Sequence, residues 1–348
     1  MNYKSVIGCL LAISIFSCDG NKETKEKKIP ENVIKDQTSD DASFSDSSIV
    51  SLNKLILEEP QNADLYVARA KQYLILQNFD AAINDYKRAI KIDSTNSQFY
   101  NALAETYFLH KNIPLALENF EKSENLDPKN IQTYLKRAQV NFLMKKFNET
   151  LKDADAALRI NKFEPQAYYL KGITFLEVKD TSRAVSSLQT AVEQDPNHYN
   201  AFYQLGLIHF ESGMWVATDY LKSALEIKPK SIDARYLLAL NYQNFEKIDE
   251  ALAEYENILE QDADFIDAVY NIGFIYSEFL DDENKAMNYF QKTVQIDDSF
   301  VRGQYMLGLL NERKKEYKIA EDYYRKTLKI QPDFTLAAQG LSRVTTGL

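Results

Sequence analysis

The sequence predicts an all-α chain: an α-solenoid of about eight helix-turn-helix units, closed at each end by a further helix. Three observations predict it. From Ala63 to Phe334 one arrangement of small and aromatic residues recurs at a period of about 34. Within each period the apolar residues fall three and four apart, the helical spacing. Each period then breaks at Pro or a polar cluster, where a helix stops. A fixed period of this size marks units that cannot bury their apolar faces alone and must stack on their neighbours.

The eight units begin at Ala63, Ser97, Ile131, Pro165, Tyr199, Ile232, Ile266 and Val301. Six are 34 residues long, the fifth is 33 and the seventh 35, and both changes fall where a turn is expected. The eighth position reads Ala70, Ala104, Ala138, Gly172, Gly206, Ala239, Gly273 and Gly308. The twentieth reads Ala82, Ala116, Thr150, Ala184, Ala217, Ala251, Ala286 and Ala320, allowing for the two turn changes. Helices packed about 8–10 Å apart need small side chains where their backbones come closest. Aromatic and aliphatic residues at positions 4, 7, 11 and 24 fill the remaining space. Each unit is thus two antiparallel helices, A and B. The third unit, with Thr150 and Ala154 at positions 20 and 24, is expected to pack most loosely.

This pattern resembles the tetratricopeptide repeat family over residues 63–334. The resemblance implies a right-handed solenoid with a concave groove lined by helix-A positions 2, 5, 9, 12 and 13. Position 5 offers a tyrosine in five consecutive units: Tyr169, Tyr203, Tyr236, Tyr270 and Tyr305. Position 2 beside them is polar, with Asn200, Asp233 and Asp267 among its residues. Tyrosine combines a large contact area with a hydroxyl at low entropic cost, which suits a binding face. These eight residues are the expected partner-binding groove, with at least three of the tyrosines partly exposed. The family's clamp for a C-terminal carboxylate needs Lys and Asn at positions 5 and 9; Val67 and Lys71 stand there in the first unit, so no such clamp is expected.

The flanks carry a different message. Residues 1–17 read as a signal peptide: Lys4, an uncharged run from Val6 to Phe16, then Ser17. Eleven apolar residues are too few to span a bilayer, which takes roughly 20. Ile15-Phe16-Ser17-Cys18 resembles the lipobox of bacterial lipoproteins, which implies lipidation at Cys18. Residues 18–45 are a polar tether of roughly 30 Å mean reach. Residues 46–62 form an N-terminal capping helix with Leu52, Leu55 and Ile56 on one face, and residues 335–348 a C-terminal capping helix. In that last helix Leu336, Ala337 and Leu341 are expected to pack, and Arg343 to face water. The expected location is the cell envelope, on the outer membrane or the periplasmic face of the inner membrane.

Net charge and residue spacing exclude several functions. At −10 the chain lacks the basic stripe a nucleic-acid backbone requires. Its two cysteines, Cys9 and Cys18, leave no disulfide or thiolate site in the body. His110, His198 and His209 lie in separate units and form no metal-spacing pair; His209 reads as a packed imidazole. The acidic turn Asp281-Asp282-Glu283-Asn284 lacks calcium-loop spacing. With no phosphate loop or nucleophile motif, no enzyme, cofactor or metal is expected. The single tryptophan, Trp215, stands beside the shortened fifth turn, as a packing residue or an exposed anchor. Together these readings predict a membrane-anchored scaffold that binds a protein or extended peptide. The alternatives are a lipoprotein capturing nutrient glycans on the tyrosine face, and an uncleaved, membrane-anchored cytoplasmic scaffold.

Overall fold

The computed structural model describes residues 42–346, with side chains from residue 48 onward, so the signal peptide, Cys18 and nearly all of the tether lie outside the described residues. The described residues form 18 helices and no strand, in an α-solenoid of helix-turn-helix repeats. They divide into two compact bodies, residues 42–201 and 202–346.

In the first body α1 (Ala42–Glu58) precedes four helix pairs: α2 (Ala63–Ile75) with α3 (Phe79–Ile92), α4 (Ser97–Leu109) with α5 (Ile113–Leu126), α6 (Ile131–Leu143) with α7 (Phe147–Ile160), and α8 (Pro165–Glu177) with α9 (Thr181–Gln194). The capping helix thus starts before Asp46, inside the predicted tether. It buries Ile56 and half-buries Leu52, while Leu55 stays in water. Each pair is closed by local chemistry. Asn62, Asn78, Asn96, Asn112, Asn130 and Asp180 accept backbone N–H groups at helix starts, satisfying donors that have no partner within the helix. In the third pair Asp153 and Arg137 form a two-pronged ion pair at 2.7 and 3.0 Å, with Glu124 on the same guanidinium at 2.6 Å. Arg69 and Asp85 repeat the fork in the first pair at 2.6 and 2.7 Å. Around the third pair the core is alanine-rich, with Ala138, Ala154, Ala156, Ala157 and Ala167 buried, and Ala154 stands at position 24, where five other units have an aromatic ring.

The second body holds most of α10 (Tyr199–Glu211), then α11 (Ala217–Ile227), α12 (Ile232–Asn244), α13 (Ile248–Gln261), α14 (Ile266–Glu278), α15 (Glu283–Ile296), α16 (Val301–Arg313), α17 (Tyr317–Ile330) and α18 (Thr335–Thr346). Its core is aromatic: Tyr255, Phe290 and Tyr324 at position 24 are fully buried. A Cβ added at Gly308 would lie 2.8 Å from the Tyr324 ring, which is why position 8 has no side chain there. In α18, Ala337 is buried and Leu336 and Leu341 are half-buried, as expected. Arg343 does not simply face water. It grips Glu312 at 2.6 and 2.8 Å, and Glu312 in turn accepts the Tyr324 hydroxyl.

Every A–B turn places one residue in the left-handed region: Gln77, Lys111, Lys145, Lys179, Gly213, Glu246, Asp281 and Lys315, with φ between 52 and 65°. Seven of these eight are not glycine. The following N–H closes the turn on the preceding helix, as from Asn78 to the Tyr73 carbonyl at 2.8 Å.

Candidate partner-binding face

The position-5 tyrosines lie on their A helices as the spacing requires, but not all in the same environment. Tyr169, Tyr203, Tyr236 and Tyr305 are half-buried. Tyr270 is buried, with 6% of its surface exposed, and so does not offer its ring to a partner as predicted. The cause is local. The Arg302 guanidinium stands 4.7 Å over the Tyr270 ring centroid and pairs with Asp267, covering one predicted groove residue and neutralising another. Asn200 and Asp233 are exposed, as a binding face requires.

A rule unseen in the sequence explains why these tyrosines are tucked in. In four of the five tyrosine units the last residue is aromatic or His and closes over that unit's tyrosine; the fifth unit, with Tyr203, ends in Ser231. In the first body His198 lies 4.9 Å from Tyr169. In the second, Phe265 lies 5.5 Å from Tyr236, Phe300 5.7 Å from Tyr270 and Phe334 5.1 Å from Tyr305. The position-24 ring supports each of these three from behind, at 6.0, 5.6 and 6.1 Å. Such offset and edge-on pairs add to area burial. Burial pushes the Tyr169, Tyr236 and Tyr270 hydroxyls up to about 12. Tyr236 also accepts from Asn271 of the next unit at 3.0 Å. Tyr203 packs on the core around Leu237 and Leu238. The signal was available: where position 5 is Val67, Asn101 or Leu135, the unit ends in Asn96, Asn130 or Glu164 instead of an aromatic ring.

The first body carries the opening that sequence reasoning missed. Between α4 and α6 a crevice of about 180 Å³ opens on the helix-A side. Phe108, Leu109, Val140 and Leu143 line it, with Phe120 as its floor. Glu105 and Lys136, paired at 3.2 Å, and Gln139 stand at its polar side. One turn before Glu105, Asn101 is 6% exposed and its Oδ1 has no hydrogen-bond partner. Glu105, Phe108, Leu109, Gln139 and Leu143 are positions 9, 12 and 13 of units two and three and so were legible as groove positions, whereas Lys136, Val140 and Phe120, at positions 6, 10 and 24, were not.

On the other side of the same body an open cleft of about 430 Å³ is lined by Leu151, Asp155, Lys171, Phe175, Arg183 and two serines. Its charges are already paired, Lys171 with Asp155 at 2.7 Å and Arg183 with Asp180 at 2.6 Å.

His209 is half-buried and stacked 5.3 Å from Tyr220, and its Nε2 has no hydrogen-bond partner. Trp215 is 42% exposed. Among the described residues no cluster of three or more His, Cys, Asp or Glu could hold a metal ion, and no helix is long and apolar enough to cross a membrane.

Comparison with known proteins agrees with this geometry. A family model described as TPR repeat matches residues 70–111, and models described as tetratricopeptide repeat match 169–232, 266–300 and 301–334. Superkiller complex protein 3 of Homo sapiens is 29% identical over 140 residues, covering 37% of this chain. Protein O-mannosyl-transferase TMTC3 of Homo sapiens is 26% identical over 182 residues, covering 51%. The matched stretches span 9% and 20% of those two relatives. The crystal structure of the C-terminal part of a TPR repeat-containing protein from Cytophaga hutchinsonii superposes with a TM-score of 0.58 at 18% identity, covering 68% of this chain and 98% of that one. At that identity the likeness is one of fold.

Proposed function

The chain belongs to the tetratricopeptide-repeat family, and from that premise we propose that it is a non-catalytic scaffold that takes a protein or extended peptide on its helix-A face. We place it on a bacterial membrane through lipid on Cys18, in envelope assembly, secretion or remodelling. The observation that carries the binding reading is the crevice between α4 and α6. Its volume suits one large apolar side chain, its floor is apolar, and Glu105, Lys136 and Gln139 at its side offer charges and an amide. A pocket of few, convergent polar groups over an apolar floor is the usual form of a binding site. Near it, Asn101 is buried with its Oδ1 unpartnered. The exposed Asn200 and Asp233 and the half-buried tyrosines support the same reading in the second body.

The test is photo-crosslinking in the native cell, with the probe at Gln139 and, separately, at Tyr203. A discrete protein adduct is expected at one or both. No adduct, together with retention of the purified chain on a polysaccharide column, would replace peptide binding with glycan capture. Mass spectrometry of the mature N-terminus tests the anchor: an acylated Cys18 is expected, and an unmodified chain starting at Met1 would remove it.

A further inference from the structure

The A–B turns of the fifth, sixth and seventh units form a second surface, distinct from the helix-A face. Met214 (48% exposed), Trp215 (42%), Phe245 (38%), Phe279 (39%) and Leu280 (45%) stand in water at the A–B turns of three consecutive units, Phe245, Phe279 and Leu280 just before the left-handed residue and Met214 and Trp215 just after it. The Trp215 ring meets Phe245 edge-on at 5.2 Å and Tyr242 at 6.0 Å, so one side of the indole is anchored while the rest is open. Single exposed apolar residues are ordinary, whereas exposed ones in contact, as Trp215 and Phe245 are, mark an interaction site. Aromatic anchors of this kind dominate the energetics of protein interfaces.

The charge around the row says what fits it. Segments 211–216, 244–250 and 278–285 hold eight carboxylates against two lysines, a formal −6. Arg313 answers Glu278 and Glu283, at 2.9 and 4.0 Å, and Lys285 answers Asp282 at 3.7 Å. Glu211, Glu246, Asp249, Glu250 and Asp281 enter no ion pair among the described residues. An anionic lipid surface would be repelled by this rim. A protein segment with one apolar face and Lys or Arg on its flanks matches it on both counts.

We propose that this edge of the second body docks a basic amphipathic segment of a partner protein, with Trp215 as its central anchor. None of the crevice residues and none of the position-5 tyrosines takes part, so this site and the peptide face can fail independently.

Trp215 is the only tryptophan in the chain and therefore reports on its own site. The full chain is titrated with a synthetic Leu/Lys amphipathic helix, a scrambled peptide of the same composition and a Leu/Glu helix. Phosphatidylglycerol vesicles and phosphatidylcholine vesicles are titrated separately. The Leu/Lys helix is expected to shift Trp215 emission to the blue, to protect it from acrylamide, and to weaken with salt. Phe279→Ser with Leu280→Ser, which keeps the tryptophan, should weaken binding about tenfold. Glu246→Lys with Asp281→Lys should turn the preference toward the Leu/Glu helix. These turns tolerate lysine, since Lys111, Lys145, Lys179 and Lys315 occupy the same left-handed site in other units. An equal response to the scrambled peptide, an unchanged preference in the charge-reversed variant, or a response to phosphatidylglycerol vesicles matching that to the Leu/Lys helix would overturn the proposal.

Discussion

The Arg302 guanidinium lies over the Tyr270 ring, 4.7 Å from its centroid, and holds the Asp267 carboxylate in the same grip. Phe300 meets Tyr270 at 5.7 Å, so a tyrosine with helix-A surface spacing becomes part of the core. Replacing Arg302 with Ala should therefore act in two ways. It should cost about 1 kcal/mol of stability, the sum of a partly exposed cation–π contact and a surface ion pair. It should also raise labelling of Tyr270 in hydroxyl-radical footprinting. Unchanged labelling would mean that Phe300 and Phe290 alone close the ring.

The Arg137–Asp153 fork gives a larger effect. Asp153 is 3% exposed and also accepts from Asn141 at 3.2 Å. Asp153→Ala leaves the guanidinium without its main partner and should cost about 3 kcal/mol in urea unfolding. Arg137→Met combined with Asp153→Leu removes both charges and should cost markedly less than the sum of the two single changes. A strictly additive result would show that the fork contributes little beyond each residue's packing.

His198 is expected to make the first body acid-sensitive. Its Nδ1 accepts the Ala201 N–H at 3.2 Å, and its Nε2 lies 3.4 Å from Gln166 Oε1, an arrangement that suits the neutral ring. Burial holds its pKa below the ordinary 6.5. The folded chain thus takes up this proton less readily than the unfolded chain does. The resulting stability is fully present above about pH 6.5 and is lost as the pH falls through the folded value. A thermal midpoint that drops on acidification from pH 7 to 5 is expected. His198→Asn, which installs the residue that caps the next helix at Asn96 and Asn130, should remove part of that drop. Burial shifts His209 the same way, so some slope should remain.

The left-handed turns can be probed without touching any packing. A Cβ at Gly213 meets nothing within 4 Å, and its φ is 65°. Gly213→Ala should cost about 1 kcal/mol from backbone strain alone. Lys179→Gly, at φ 61°, should gain about 0.5–1 kcal/mol. Equal thermal midpoints for both variants and the parent chain would show that the tertiary fold absorbs the strain.

Periodicity carried the helices and their pairing, because position 8 and position 20 are dictated by backbone approach and leave a small residue behind. Side-chain neighbours were less legible. Arg343 reads as solvent-facing from its own helix, and only the fold brings Glu312, 31 residues earlier in the chain, beneath it. Seven left-handed turn residues carry no glycine signal because the Schellman-type closure overrides propensity. The tyrosines were visible as a column, but which neighbours cover each one, such as Arg302 and Phe300 over Tyr270, was not. The crevice beside Lys136 depends on the gap between two helices, a quantity no single position encodes.

The aromatic closure also decides where the chain can change length. The short fifth unit and the long seventh differ from the others at the A–B turns, around Gly213 and Asp281, where the backbone meets solvent. At the opposite junctions His198, Phe265, Phe300 and Phe334 are each pinned to a ring of the same unit. An inserted residue there would pull the ring off its tyrosine, while one beside Asp281 would only lengthen a loop. Each repeat thus has a permissive turn and a forbidding one, and a tag, fluorophore or foreign epitope belongs at an A–B turn, where unit length already varies.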